Sequence, residues 1–145
     1  MKRVKLKNGS LEMLVQRELR ARGLRFRCHV RKLPGRPDIV FARERVAVFV
    51  DGNFWHGWRL PAWEHKLSPF WREKLRANRA RDLRNFCRLR RLGWRIIRLW
   101  QHQVKSDVGR CIERVEIALK SIKCSSHLPR RRIFGTVFPR HSHPP

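Results

Sequence analysis

Apolar positions recur along this chain at two spacings, and the switches between them predict the order of elements. Leu11, Leu14, Val15 and Leu19 share a helical period, so a first helix is expected over Leu11–Arg22, with Ser10 able to cap it and Gly23 able to end it. Leu24, Phe26 and Cys28 then alternate with Arg25, Arg27 and His29, the pattern of a half-buried strand over Leu24–Val30. A turn, Leu33-Pro34-Gly35-Arg36-Pro37, leads into two further predicted strands, Asp38–Phe41 and Arg45–Val50. The run Val46-Ala47-Val48-Phe49-Val50 has no polar alternation at all, which marks a central strand covered on both faces. An aromatic-rich loop is expected over Gly52–Leu67. A long helix follows over Pro69–Leu92, with Ser68 before it, proline in its first turn and Gly93 after it. Trp94–Trp100 reads as another buried strand. Ile112, Val115, Leu119 and Ile122 define a last helix, Val108–Ile122. The order is α-β-β-β-α-β-α, an α/β fold with a mixed sheet of about four strands between helices. One domain over residues 10–122 is expected, with a basic arm at residues 1–9 and a basic, disordered tail at 123–145.

Charge changes the picture from architecture to partner. The chain has 145 residues, with 36 Lys and Arg against 11 Asp and Glu, a formal net charge of +25. That excess points to a polyanion held through phosphate contacts, and arginine, whose planar fork suits phosphate and guanine, supplies most of it. A ribosome-type RNA binder and a membrane-surface protein are the competing classes. The 6 Trp and 8 Phe add side chains able to stack on bases or wedge between them. Cys28, Cys87, Cys111 and Cys124 contain no C-x-x-C pair, which argues against a zinc ribbon or a disulfide framework and fits a reducing interior. No signal peptide or membrane-length apolar run is visible. A cytoplasmic, nucleoid-associated protein without a membrane partner is expected.

In a chain so poor in acids, the placement of each one carries information. Asp38 opens one predicted strand and Asp51 closes the next. Taken singly, each reads first as a turn former or a strand terminator; together, at adjacent strand ends, they can hold a hard divalent cation. Asp82 falls on the helical stripe Trp71, Leu75, Asn78, Asp82, Phe86, Leu89, so it points with apolar residues and needs a cation, a histidine or an arginine as partner. Glu12 sits in the first turn of the first helix, where an acid steadies the helix dipole by about 0.3–1 kcal/mol. His56, set between Gly52 and Gly57, titrates near neutrality and can exchange a proton with water or a leaving group. Phe54, Trp55, Trp58 and Trp63 are too many aromatics for a mere connector, and base-stack wedging is the sharper reading beside a core plug.

These residues lie in strings that resemble a known family. Leu33-Pro34-Gly35-Arg36-Pro37-Asp38, followed by Val48-Phe49-Val50-Asp51-Gly52-Asn53-Phe54-Trp55-His56-Gly57, is similar to the active-site segment of the very short patch repair endonucleases. Phe70-Trp71-Arg72-Glu73-Lys74-Leu75, then Asn78, Arg81-Asp82, Leu92-Gly93-Trp94-Arg95 and Leu99-Trp100, resembles that family's second block. The likeness covers roughly Ser10 to Gln103. It implies a restriction-endonuclease-like fold and a Mg²⁺-dependent enzyme that nicks one strand of double-stranded DNA at T:G mismatches, as a monomer, with mismatch-repair proteins as possible partners. It further implies Asp38 as the central metal-binding carboxylate, the Val50 carbonyl as a metal contact and Asp51 beside the scissile phosphate. His56 becomes the proton-transfer residue, Asp82 its orienting partner and Glu12 the helix-one glutamate of the site. Phe54, Trp55 and Trp71 become the side chains that enter the duplex.

Two departures from the family follow. Its zinc site is not expected here, because Asn53 and Trp58 occupy cysteine positions and Pro61 a histidine position, leaving His102 as a single ligand. Aromatic packing must then order Trp58–Leu67. The amino-terminal region is also short and lacks the usual motif, which loosens T:G specificity more than nuclease activity. A homing-type or restriction-linked nuclease with the same residues, and a non-catalytic DNA-binding domain, are the alternatives.

Overall fold

The computed structural model describes residues 8–125. Their elements are α1 (Asn8–Ala21), β1 (Arg27–Cys28), β2 (Ile39–Phe41), β3 (Val46–Asp51), α2 (Leu60–Trp63), α3 (Pro69–Arg91), β4 (Arg95–Trp100), α4 (Gln101–Ser106) and α5 (Val108–Ser125). The strands form one mixed sheet in the order β1-β2-β3-β4, antiparallel across the first two junctions and parallel between β3 and β4. This is the helix-flanked mixed sheet expected of a restriction-endonuclease-like fold.

Strand β3 is buried at every position because both of its faces are covered. Val46, Val48 and Val50 join Leu11, Val15 and Leu19 of α1, Ile97 and Leu99 of β4, and Ile112, Val115 and Leu119 of α5 in the larger core. Ala47 and Phe49 turn to the other face and pack on Phe86 and Leu89 of α3. The period-two alternation of a strand therefore assigns residue 51, like 47 and 49, to the α3 side. Arg98 in β4 is out of phase with the core residues Ile97 and Leu99, and so faces α3 as well.

Several boundaries differ from those the pattern predicts. Helix α1 begins at Asn8, so residues 8 and 9 are helical rather than part of an arm, Ser10 lies within the helix instead of capping it, and Glu12 falls beyond the first turn; the rest of that arm, residues 1–7, lies outside the described residues. Helix α5 runs on to Ser125, and the expected tail beyond it, 126–145, is likewise outside them. Apolar periodicity marks where a helix is buried, not where its backbone starts or stops. The alternation over Leu24–Val30 holds in burial, yet only Arg27 and Cys28 ladder with β2. His29 adopts φ 51°, a left-handed conformation that ends the pairing. The aromatic loop contains α2 and a 3₁₀ turn at Glu64–Lys66, and α4 follows β4 directly. With Val104 as its one buried residue, α4 carries no periodic signal to read. Gly23 and Gly93 do end their helices, at φ 72° and 87°, with Leu24 N–H bonded to the Leu19 carbonyl and Trp94 N–H to the Leu89 carbonyl. Among the described residues no helix is long and apolar enough to cross a membrane.

Candidate active site

Asp38 stands at the start of β2, where the ladder with β3 is completed by its side chain. Its backbone N–H donates to the Val48 carbonyl (3.1 Å), while its Oδ2 accepts the Val50 N–H at 2.7 Å. The preceding turn brings it there: Gly35, at φ 75°, packs so closely that a Cβ would meet Asn85 at 3.1 Å and Phe49 at 3.3 Å. Glu12 reaches the same place from α1 and His29 from the end of β1. One ligand atom of each of Glu12, His29 and Asp38 lies within 4.8 Å of the others. Burial pushes the Asp38 carboxyl up to about 7, with the Val50 N–H opposing the rise and Glu12 and Asp51 adding to it. A cation favours the ionised carboxylate and would oppose that shift, so the donor set fits a hard divalent ion. His29 adopts a left-handed backbone at the end of β1, as Arg36, Arg45 and Arg59 do elsewhere, and its Nε2 lies 3.7 Å from Glu12 Oε2.

A second constellation lies on the α3 side of β3. His56 Nδ1 is 2.7 Å from Asp82 Oδ2, with the ring N–H donating to the carboxylate. That contact turns Nε2 toward Asp51, whose Oδ1 is 3.4 Å away. Arg98 bridges the two acids, its Nε donating to Asp51 Oδ2 and its Nη2 to Asp82 Oδ2 at 3.0 Å. The guanidinium is itself sandwiched, 4.1 Å from the Trp100 ring and 5.1 Å from Phe86. Burial disfavours the charged imidazolium of His56, but the Asp82 hydrogen bond and the charges of Asp51 and Asp82 prevail, so its pKa is raised. Burial also raises Asp51, against the pull of His56 and Arg98. The acids of both constellations and His56 line one cleft of about 180 Å³, with Val50 between them; His29 and Arg98 stand outside its lining.

A cation-fitting pair of carboxylates beside a histidine braced by an aspartate can support hydrolysis of a phosphodiester; comparison with known proteins gives the family. Residues 1–61 match the family model described as DNA mismatch endonuclease Vsr. The chain is 42% identical over 111 residues to the type II nicking enzyme V.XorIIP of Xanthomonas oryzae pv. oryzae, covering 75% of this chain and 81% of the relative. A type II nicking enzyme of Neisseria meningitidis serogroup C, V.NmeDIP, is 34% identical, with 80% of each chain covered. The DNA mismatch endonuclease Vsr of Escherichia coli is 35% identical over 106 residues, 70% of this chain and 66% of that one. The chain belongs to the Vsr family. It is therefore a DNA endonuclease, and DNA is its substrate.

The Vsr-type aromatics predicted to enter DNA come together in one cluster at the surface. Phe54 and Trp55 are 41% and 44% exposed, and their ring centroids lie 5.6 and 5.7 Å from that of Trp71. Asn78 of α3 donates to the Trp55 carbonyl, tying the loop to the helix. Two members of the cluster went unread in the sequence: Phe70, 65% exposed and 5.4 Å from Trp71, and Lys74, whose Nζ is 5.4–5.8 Å from the rings of Trp55, Phe70 and Trp71. Arg98 and His29 were unread as site residues too. The alternation of β4 contains the signal for Arg98, an arginine between two core positions, but nothing in the local pattern marks His29.

The loop around Trp58 is ordered by ring packing. Trp58 lies 4.8 Å from Trp100 and 4.7 Å from His102 between centroids, and Trp63 Nε1 donates to the Trp58 carbonyl at 2.7 Å. His102 Nδ1 and Asn53 Oδ1 are 2.9 Å apart, which joins the remaining histidine to a residue at one of the departed cysteine positions. Pro61 lies within α2.

Proposed function

We propose that this Vsr-family enzyme nicks one strand of duplex DNA at T:G mismatches in a Mg²⁺-dependent reaction, acting as a single chain. The observation that carries the reading is the shared cleft, where the Glu12–Asp38 pair and His56 Nε2 face the same space with the Phe54–Trp55 wedge two residues up the chain. Asp38, with Glu12 and the Val50 carbonyl, would hold the cation, which when bound supplies countercharge to the phosphate and the leaving oxygen. His56 Nε2 takes the proton from the attacking water. The Asp82 hydrogen bond sets the tautomer that leaves Nε2 free to do so, and Arg98 fixes Asp82 in turn. Asp51 stands against His56 Nε2 and steadies the imidazolium once it forms. Water's oxygen bonds to phosphorus, the bond from phosphorus to the leaving oxygen breaks, and that oxygen takes up a proton.

Phe54, Trp55 and Trp71 enter the base stack beside the mismatched pair, where unstacking is cheapest. Support for the T:G target comes from the family model and the Escherichia coli relative, both described as DNA mismatch endonucleases. The reading is tested with end-labelled duplexes carrying T:G, other mismatches or none, in Mg²⁺ and in EDTA. A single nick beside the T of T:G, absent in EDTA, is the expected result. Equal cutting of matched duplexes would move the enzyme to a different target, and cutting in EDTA would remove the metal from the reaction.

A further inference from the structure

The strand alternation leaves Arg25, Arg27 and His29 exposed alike. His29 differs from the two arginines in its left-handed backbone, with its N–H donating to the Asp38 carbonyl at 3.2 Å, and in its Nε2, which lies 3.7 Å from Glu12 Oε2. What sets His29 apart from the other left-handed residues, Arg36, Arg45 and Arg59, is that it stands with two carboxylates at a spacing suited to a metal ion. Ligands at about 2.1 Å around an octahedral ion stand about 3 Å apart when adjacent and about 4.2 Å apart when opposite. Donor atoms of Glu12, His29 and Asp38 that all fall within 4.8 Å of one another need only side-chain adjustment to reach such a shell. The His29 side chain, 62% exposed, is free to make it.

We infer that His29 is a ligand of the cation held by Glu12 and Asp38, and that its nitrogen gives the site higher affinity for Mn²⁺ than for Mg²⁺. This rests on the proposed reading of the cleft as the metal site. Mg²⁺ prefers oxygen and gives up water reluctantly, so an imidazole adds little to its binding. Mn²⁺ keeps the oxygen preference that suits two carboxylates and still accepts a nitrogen. Mg²⁺ can remain the ion used in the reaction, since the preference is one of affinity.

The test is direct metal binding to the full chain without DNA. Free Mn²⁺ is titrated by electron paramagnetic resonance, Mg²⁺ is measured by competition, and nitrogen coupling to bound Mn²⁺ is read by electron spin-echo modulation. The informative variant is His29→Asn, because asparagine tolerates the left-handed backbone and offers oxygen in place of nitrogen. The wild type should show a directly bound nitrogen. His29→Asn should lose that signal and about tenfold or more of the Mn²⁺ affinity, while its Mg²⁺ affinity changes by less than about twofold. Asp38→Asn should lose both ions. If Asp38→Asn loses binding while wild-type Mn²⁺ shows no nitrogen, or His29→Asn binds it unchanged, His29 is not a ligand and the cleft reading survives. If Asp38→Asn binds Mn²⁺ as the wild type does, the cleft is not the metal site and both readings fall together.

Discussion

The two halves of the cleft are built from the same residue types and settled in opposite ways. Around His56, two buried acids are answered within the protein: Arg98 bridges Asp51 and Asp82, and the imidazole contacts both. Around Asp38, a buried carboxylate faces Glu12 across the cleft, and the arginine that settles the first half has no counterpart in this trio. A closed network of charges holds a side chain still. An uncompensated pair stores electrostatic demand for something that arrives from solution. On the proposed reading, one half positions a proton carrier and the other would hold a cation.

The sharpest way to break the comparison is to disable each half separately. Asp38→Asn should lower nicking by about a thousandfold or more, together with cation binding. His56→Ala should lower it by about 10²–10⁴-fold while cation binding persists. DNA affinity should hold within a few-fold in both, as read by gel shift. Cation binding lost in His56→Ala, or retained in Asp38→Asn, would show that the halves are not separate. The next largest effect is on stability. Arg98→Met leaves Asp51 and Asp82 buried with only His56 between them and should cost ~3 kcal/mol, measured by denaturant unfolding; a change below about 1 kcal/mol would mean that the network is not closed by Arg98.

The smallest effect separates the halves by pH. With its folded pKa near 7 against an ordinary 3.8, Asp38 favours the folded state fully below the lower value, and that contribution is lost as pH rises through about 7. His56, also raised, acts with the same sign. In EDTA the melting temperature should therefore fall between pH 5 and pH 8, by roughly 5 °C. Asp38→Asn should shrink the fall, and a divalent cation should restore the wild type at pH 8. A fall that Asp38→Asn leaves untouched would assign the shift to the His56 half.

What could be read in advance follows the same division. The apolar run of β3 and the stripe on α3 announce their own burial, so the central strand, the long helix and the inward aim of Asp82 are legible from periodicity. Asp38 and His56 are legible through the strings that resemble a family, not through spacing. His29 is hidden because it follows the exposed positions of the alternation, and only the folded structure brings it beside Glu12 and Asp38. Arg98 is obscured by composition: its place between two core positions of β4 marks it, but among so many arginines that mark does not stand out. The extra turn of α1 and the whole of α4 escape because backbone hydrogen bonding, not side-chain pattern, sets them.

Arg98 also has a history within each molecule's own folding. It meets Asp51 across 47 residues of chain, and only after β4 has docked beside β3. Contacts between parallel strands so distant in sequence form late, because the intervening chain must first be ordered. A chain that ended before β4 would lack Arg98, and Asp51 and Asp82 would be without their shared countercharge.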